Sequence, residues 1–118
     1  MKTTEQIKRQ ILARVVEVIR RQHKALATER AYCGWIARYY DFCLALPHDL
    51  PPEEKIERFL TDLAVVHDVS ASTQNGAFHA IRFLYTDVIP RPLDVSKVNA
   101  LRAQRPEQVR HAPSVRTA

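Results

Sequence analysis

Glycine occurs only twice in 118 residues, at Gly34 and Gly76. Hairpins and tight β-turns depend on residues that adopt positive φ at little cost, and glycine is the main one. A turn-rich β fold is therefore hard to build from this chain, and an α-helical one is favoured. Hydrophobic residues make up 46% of the sequence, enough for a packed core. The length suits one domain, or a small domain with a tail.

Charge is segregated along the chain. Residues 1–38 hold nine Lys/Arg and three acids; residues 39–69 hold two and seven; residues 70–118 hold seven and three. The net charge of +5 thus sits in two basic blocks with an acidic one between them. Such segregation can make a basic face for a polyanion, although a merely basic soluble protein looks the same at this level. Cys33 and Cys43 have neither CxxC spacing nor neighbouring histidines, so neither a disulfide scaffold nor a zinc site is expected. No signal peptide and no run of about 18 apolar residues occurs, and a reducing cytoplasm fits best.

Apolar spacing predicts four helices and a short fifth. Thr3-Thr4-Glu5-Gln6 reads as a capping box ahead of Ile7, Ile11, Leu12, Val15, Val18 and Ile19, a helix over about 4–23. Thr28 reads as the N-cap of a second helix over about 28–45. Its apolar stripe runs through Ala31, Tyr32, Trp35, Ile36, Tyr39, Tyr40, Phe42 and Cys43. This aromatic spacing is that of a buried stripe rather than a base-stacking platform. Gly34 inside the helix suggests a close helix crossing. Pro52, with Glu53 and Glu54 after it, starts a third helix to about His67, with Ile56, Phe59, Leu60, Leu63, Ala64 and Val66 inside and an acidic face outside.

Val69-Ser70-Ala71-Ser72-Thr73 caps a fourth helix that runs to about Val88. Ala77, Phe78, Ile81, Leu84, Tyr85 and Val88 form its apolar side, and Asn75, His79, Arg82 and Thr86 its polar side. The polar stripe contains amide, imidazole and guanidinium donors and no acid. A groove-reading helix needs such groups, since Asn pairs with adenine and Arg with guanine or phosphate. A plain solvent face would have the same spacing. Pro90 and Pro92 end the helix, residues 94–101 suit a short fifth one, and residues 106–118 read as a linker or frayed tail after a domain of residues 1–105.

Chemical motifs are absent. Two glycines cannot build a phosphate loop, no His-Glu-x-x-His occurs, and neither cysteine has an indicated base. His79-Ala80-Ile81-Arg82 spells H-x-x-R, a string short enough to arise by chance. No catalytic residues, no metal, no cofactor and no small-molecule substrate are expected.

Several stretches taken together resemble the N-terminal, SAM-like core-binding domain of tyrosine recombinases, the phage-integrase family, with integron integrases nearest. They are Ile19-Arg20-Arg21-Gln22-His23, Thr28 to Ile36, Phe59 to Val65, Val69 to Asn75, Phe83-Leu84-Tyr85 and Arg102 to Pro106, spread over about 12–106. The resemblance implies an all-α, compact bundle of four to five helices that clamps one face of double-stranded DNA, with the second and fourth helices approaching the major groove. The family's catalytic half is a separate C-terminal domain bearing arginines, a lysine, histidines and a tyrosine nucleophile. That signature is not found in these 118 residues, and the chain is expected to stop near the end of the interdomain linker. A non-catalytic DNA-binding module is therefore expected, with other recombinase protomers as further partners. A helical protein–protein interaction domain is the alternative.

The expected DNA contacts are Ser72, Thr73, Gln74, Asn75, His79 and Arg82 of the fourth helix, Thr28, Arg30 and Arg38 of the second, and Arg21 and Lys24 just before it. Departures from the family pattern fall at Lys24, Ala25 and Ala27, where an aromatic, a serine and an arginine are usual, and at Gly76, where a longer residue is usual.

Overall fold

The structure, a computed structural model, describes residues 2–89 and 91–103. Within them lie α1 (Thr4–Arg21), α2 (Leu26–Cys43), α3 (Pro52–Val65), α4 (Ala71–Phe83) and α5 (Val95–Ala103). A π-helical turn, Leu84–Val88, continues α4 without a break. No strand occurs among the described residues, as the glycine shortage predicts. The expected linker at 106–118 lies outside them.

The helix starts follow local chemistry. The Thr3 Oγ1 accepts from the Gln6 N–H at 3.1 Å while the Thr3 N–H donates to Gln6 Oε1 at 2.9 Å, a complete capping box. Pro52 occupies the first turn of α3, where its missing N–H would have no partner in any case. Ser70 Oγ accepts from the Thr73 N–H at 3.1 Å and caps α4.

The start of α2 differs from the prediction. The helix begins at Leu26, Ala25 holds the N-cap position without a side-chain hydrogen bond, and Thr28 falls inside the first turn. The cause lies at the end of α1. The His23 N–H reaches back to the Arg20 carbonyl and the Lys24 N–H to the Ile19 carbonyl, a Schellman closure with His23 at φ 59°. That closure turns the chain so sharply that the four residues Gln22 to Ala25 suffice to connect α1 to α2. Among the described residues the left-handed positions belong to His23 and Asp68, residue types that tolerate αL better than most, while both glycines are helical.

Gly34 does not mark a close helix crossing. It is exposed, and a Cβ there would meet nothing within 4 Å; the same is true of Gly76.

The core joins Val15, Val18 and Ile19 of α1, Ile36 and Tyr39 of α2, and Ile56, Phe59, Leu60 and Leu63 of α3. Ala77, Phe78 and Ile81 of α4 and Leu84, Tyr85 and Val88 of the π turn complete its central part. Val98 of α5 is fully buried and packs into the same core, and α5 lies on α3. The Asp94 N–H donates to Glu53 Oε2 at 2.9 Å, tying the start of α5 to that of α3. On α2, Tyr32 meets Phe83, while Trp35, Tyr39 and Phe42 all contact Phe59. The predicted aromatic stripe is therefore core. Val66, expected inside, is 67% exposed because α3 ends at Val65 and the chain turns there. Ala31, also expected inside, is exposed.

The π turn accounts for another difference. Phe83, Leu84 and Tyr85 are three consecutive buried residues, which a regular α-helical stripe does not place on one face. Widening the turn lets them share the core, and the Ile89 N–H accordingly donates to the Leu84 carbonyl, five residues back, at 2.7 Å.

Candidate nucleic-acid interface

α4 is amphipathic with two sharply different sides. Gln74, Ala77, Phe78, Ala80, Ile81 and Phe83 are buried. Ser72, Asn75, Gly76, His79, Arg82 and Thr86 are exposed, at the spacing of a single helical stripe that runs onto the π turn. No acid occurs between Ala71 and Thr86, and the first is Asp87. At the N-terminal end of the stripe, Ser70 Oγ also donates to Thr73 Oγ1 at 3.1 Å, so the cap and the exposed Thr73 form one polar group. The N–H groups of the first turn lack intrahelical partners, which suits them to an anion.

Gln74 does not belong to this stripe. It is only 3% exposed, its Nε2 donates to the Val69 carbonyl at 3.4 Å, and its Oε1 accepts from Arg102 Nη2 at 2.9 Å. The structure thus places this expected DNA contact inside the fold, as a strut between α4 and α5. Its position could have been read from the sequence: Gln74 stands three, four and seven residues before Ala77, Phe78 and Ile81, on the inner face. Arg102 is the residue that sequence reasoning left unassigned. Its guanidinium is half-buried, its Nε is buried without a hydrogen-bond partner, and desolvation lowers its pKa against the raising effect of Glu57. No local spacing signals this contact, because it joins residues 28 apart.

The residues from α2 and the preceding corner fall into two groups. Lys24 is exposed, and its Nζ lies 5.8 Å from the centre of the Phe83 ring, which also meets Tyr32 at 5.3 Å. The structure thus brings Lys24 to the C-terminal end of α4, next in sequence to Arg82. Arg38 is exposed and lies over the Trp35 ring at 5.2 Å, and Trp35 leans on Phe59 of α3. Arg38 therefore stands at the boundary of α2 with α3, away from the Lys24 group. Arg30 is exposed and Thr28 is half-buried. Ala27, Ala31, Gly34 and Arg38 share one exposed stripe of α2, with three small residues ahead of one cation.

Arg21 Nη2 lies 3.2 Å from Glu17 Oε2, both groups being well exposed, so this pair is weak and open to competition by another anion. Arg20 is more firmly held: its Nε and Nη2 donate to the two Glu29 oxygens at 3.0 and 3.2 Å. Hydrogen bonding to Arg20 holds the Glu29 carboxyl below its ordinary range and, reciprocally, raises the Arg20 pKa. The pair bridges α1 and α2 across the corner that carries Lys24.

On the α3 side, Glu54 pairs with Arg58 and Asp62 with His67. Glu57, by contrast, is buried and accepts from Thr61 Oγ1 at 2.7 Å. Cys33 and Cys43 are free thiols whose pKa values burial pushes up. Among the described residues no three His, Cys, Asp or Glu side chains converge as a metal site would, and no helix is long and apolar enough to cross a membrane.

Compared with known proteins, the chain matches none of the curated proteins and none of the solved structures. Residues 11–95 match the phage integrase N-terminal SAM-like domain, a span that runs from the middle of α1 to the first residue of α5 and covers more than half of the chain. The helical order, the capped fourth helix and that match agree, and the chain belongs to the phage integrase N-terminal SAM-like domain family.

Proposed function

We propose that this chain is the DNA-binding module of a site-specific tyrosine recombinase of the integron or phage type, contacting one face of duplex DNA and performing no catalysis by itself. The observation that supports it best is the acid-free exposed stripe of Ser72, Asn75, His79 and Arg82 behind a serine-capped helix start. Arg82 and Asn75 are the base readers in this reading, and Ser72 and Thr73 meet phosphate. Lys24, Arg21, Arg30 and Arg38 supply salt-dependent affinity, with Thr28 at the mouth of α2. As half of a clamp, the module binds non-specific duplex in the range of about 10⁻⁴–10⁻⁶ M.

Fluorescence anisotropy with a labelled duplex tests this. Arg82→Ala combined with Arg30→Ala lowers affinity and flattens the dependence of log K on log salt. Binding equal to that of the parent at every salt concentration would remove the proposed face. A second reading, contact with another recombinase protomer, is favoured by the adjacent exposed Val65 and Val66 at the end of α3. Chemical-shift mapping separates the two: added duplex perturbs α2 and α4 in the first reading and neither in the second.

A further inference from the structure

Independently of any DNA contact, we propose that the half-open cavity between α1, α2 and the π turn binds a small organic acid, an apolar-bodied carboxylate somewhat larger than benzene. The cavity has a volume of about 250 Å³. For scale, an apolar cavity of about 150 Å³ accepts benzene. Ile11, Ile36, Leu84 and Ile89 supply an apolar wall drawn from three elements of the fold. The body of the ligand is thereby specified as hydrocarbon.

Its polar end is specified by hydrogen-bond arithmetic. The Tyr39 and Tyr85 hydroxyls lie 2.9 Å apart, and both residues line the cavity together with Cys43. Two hydroxyls joined by one hydrogen bond leave one hydrogen over, on Tyr85 or on Tyr39. Burial raises the pKa of all three groups, so they remain protonated donors at neutral pH. An oxygen of the ligand can accept that hydrogen at the cavity wall.

The charge of the ligand follows from the rest of the lining. Lys55, Arg91 and His48 line it, and no acidic residue does. Lys55 acts electrostatically on Cys43 and Arg91 on Tyr85, so both cations are felt by the polar groups of the lining. Glu53 also acts on Tyr85, but its Oε2 accepts the Asp94 amide. The remaining phenol of the lining, Tyr40, donates to the Thr4 carbonyl at 3.2 Å. The departure from regular helix falls here too: the π turn sets Leu84 and Tyr85 into the cavity, and such turns are frequent at functional sites.

Phenylacetate, with phenylacetamide as its neutral isostere, tests the proposal on the full 118-residue chain. In a ¹H–¹⁵N titration, phenylacetate gives saturable shifts at Tyr39, Cys43, Leu84 and Tyr85, and the amide binds about fivefold more weakly, the size of one partly exposed ion pair. Lys55→Met and Arg91→Met each weaken phenylacetate binding by about the same factor while keeping the parent Tm. Arg91 is exposed, so its variant reads charge without disturbing the core. Absence of saturation, equal affinity for acid and amide, or shifts confined to the exposed arginines of α2 and α4 would each overturn it.

Discussion

α3 and α4 share one core and differ in almost everything they show to solvent. Inside, each contributes residues of the same kind at the same spacing: Ile56, Leu60 and Leu63 from one, Ala77 and Ile81 from the other, all fully buried. Outside, α3 presents Glu54 and Asp62 in local pairs with Arg58 and His67, whereas α4 presents Ser72, Asn75, His79 and Arg82. The inner faces make the fold, and the outer faces decide which helix can approach a polyanion. The two properties are encoded at different positions and can be changed separately.

Four measurements bear on that separation. The largest effect is expected inside, where Leu63→Ala on α3 and Ile81→Ala on α4 each cost about 2–5 kcal/mol in urea unfolding. A much smaller loss on either helix would show that the two inner faces are not equivalent. Next comes the polar exception on α4. Gln74→Ala removes the acceptor of Arg102 and costs about 1–3 kcal/mol, and a double-mutant cycle with Arg102→Met recovers most of it. Additive losses in that cycle would mean that the 2.9 Å contact carries no coupling.

The outer faces give the third measurement. Arg82→Gln weakens duplex binding about five- to tenfold near 0.1 M salt, whereas Glu54→Gln changes it less than about twofold, with stability shifts within about 0.5 kcal/mol for both. Equal effects on binding would erase the distinction between the helices. The smallest effect concerns the glycine in the exposed stripe. Gly76→Ala stabilises the chain by about 0.5–1 kcal/mol, because a Cβ there meets nothing within 4 Å. A fall in Tm would contradict that open space.

Much of this was legible in the sequence because it is local. The Thr3–Gln6 box, Pro52 in the first turn and Ser70 as a cap depend on residues within one turn of each other, and each forms as its spacing predicts. The stripe of Asn75, His79, Arg82 and Thr86 was readable for the same reason. What escaped depends on distant partners or on competition between neighbours. Thr28 has the chemistry of a cap, but the Schellman closure at His23 starts α2 ahead of it. Gln74 has polar neighbours on both sides but stands on the inner spacing, and what satisfies it there is Arg102, 28 residues away. The π turn was hidden because its hydrophobic run fits a helix of either width until the core fixes which residues must be buried together.

That turn also sets where the chain can lose a residue. A π turn accommodates one residue more than the α-helical turn it replaces. Deleting one residue between Leu84 and Val88 lets the backbone settle into an uninterrupted α-helix, and Val88 and Ile89 keep nearly the same facing because the wider turn already carried the extra residue. The same deletion in the regular part of α4 has no surplus to draw on and rotates everything beyond it by about 100°, turning Leu84, Tyr85 and Val88 off the core.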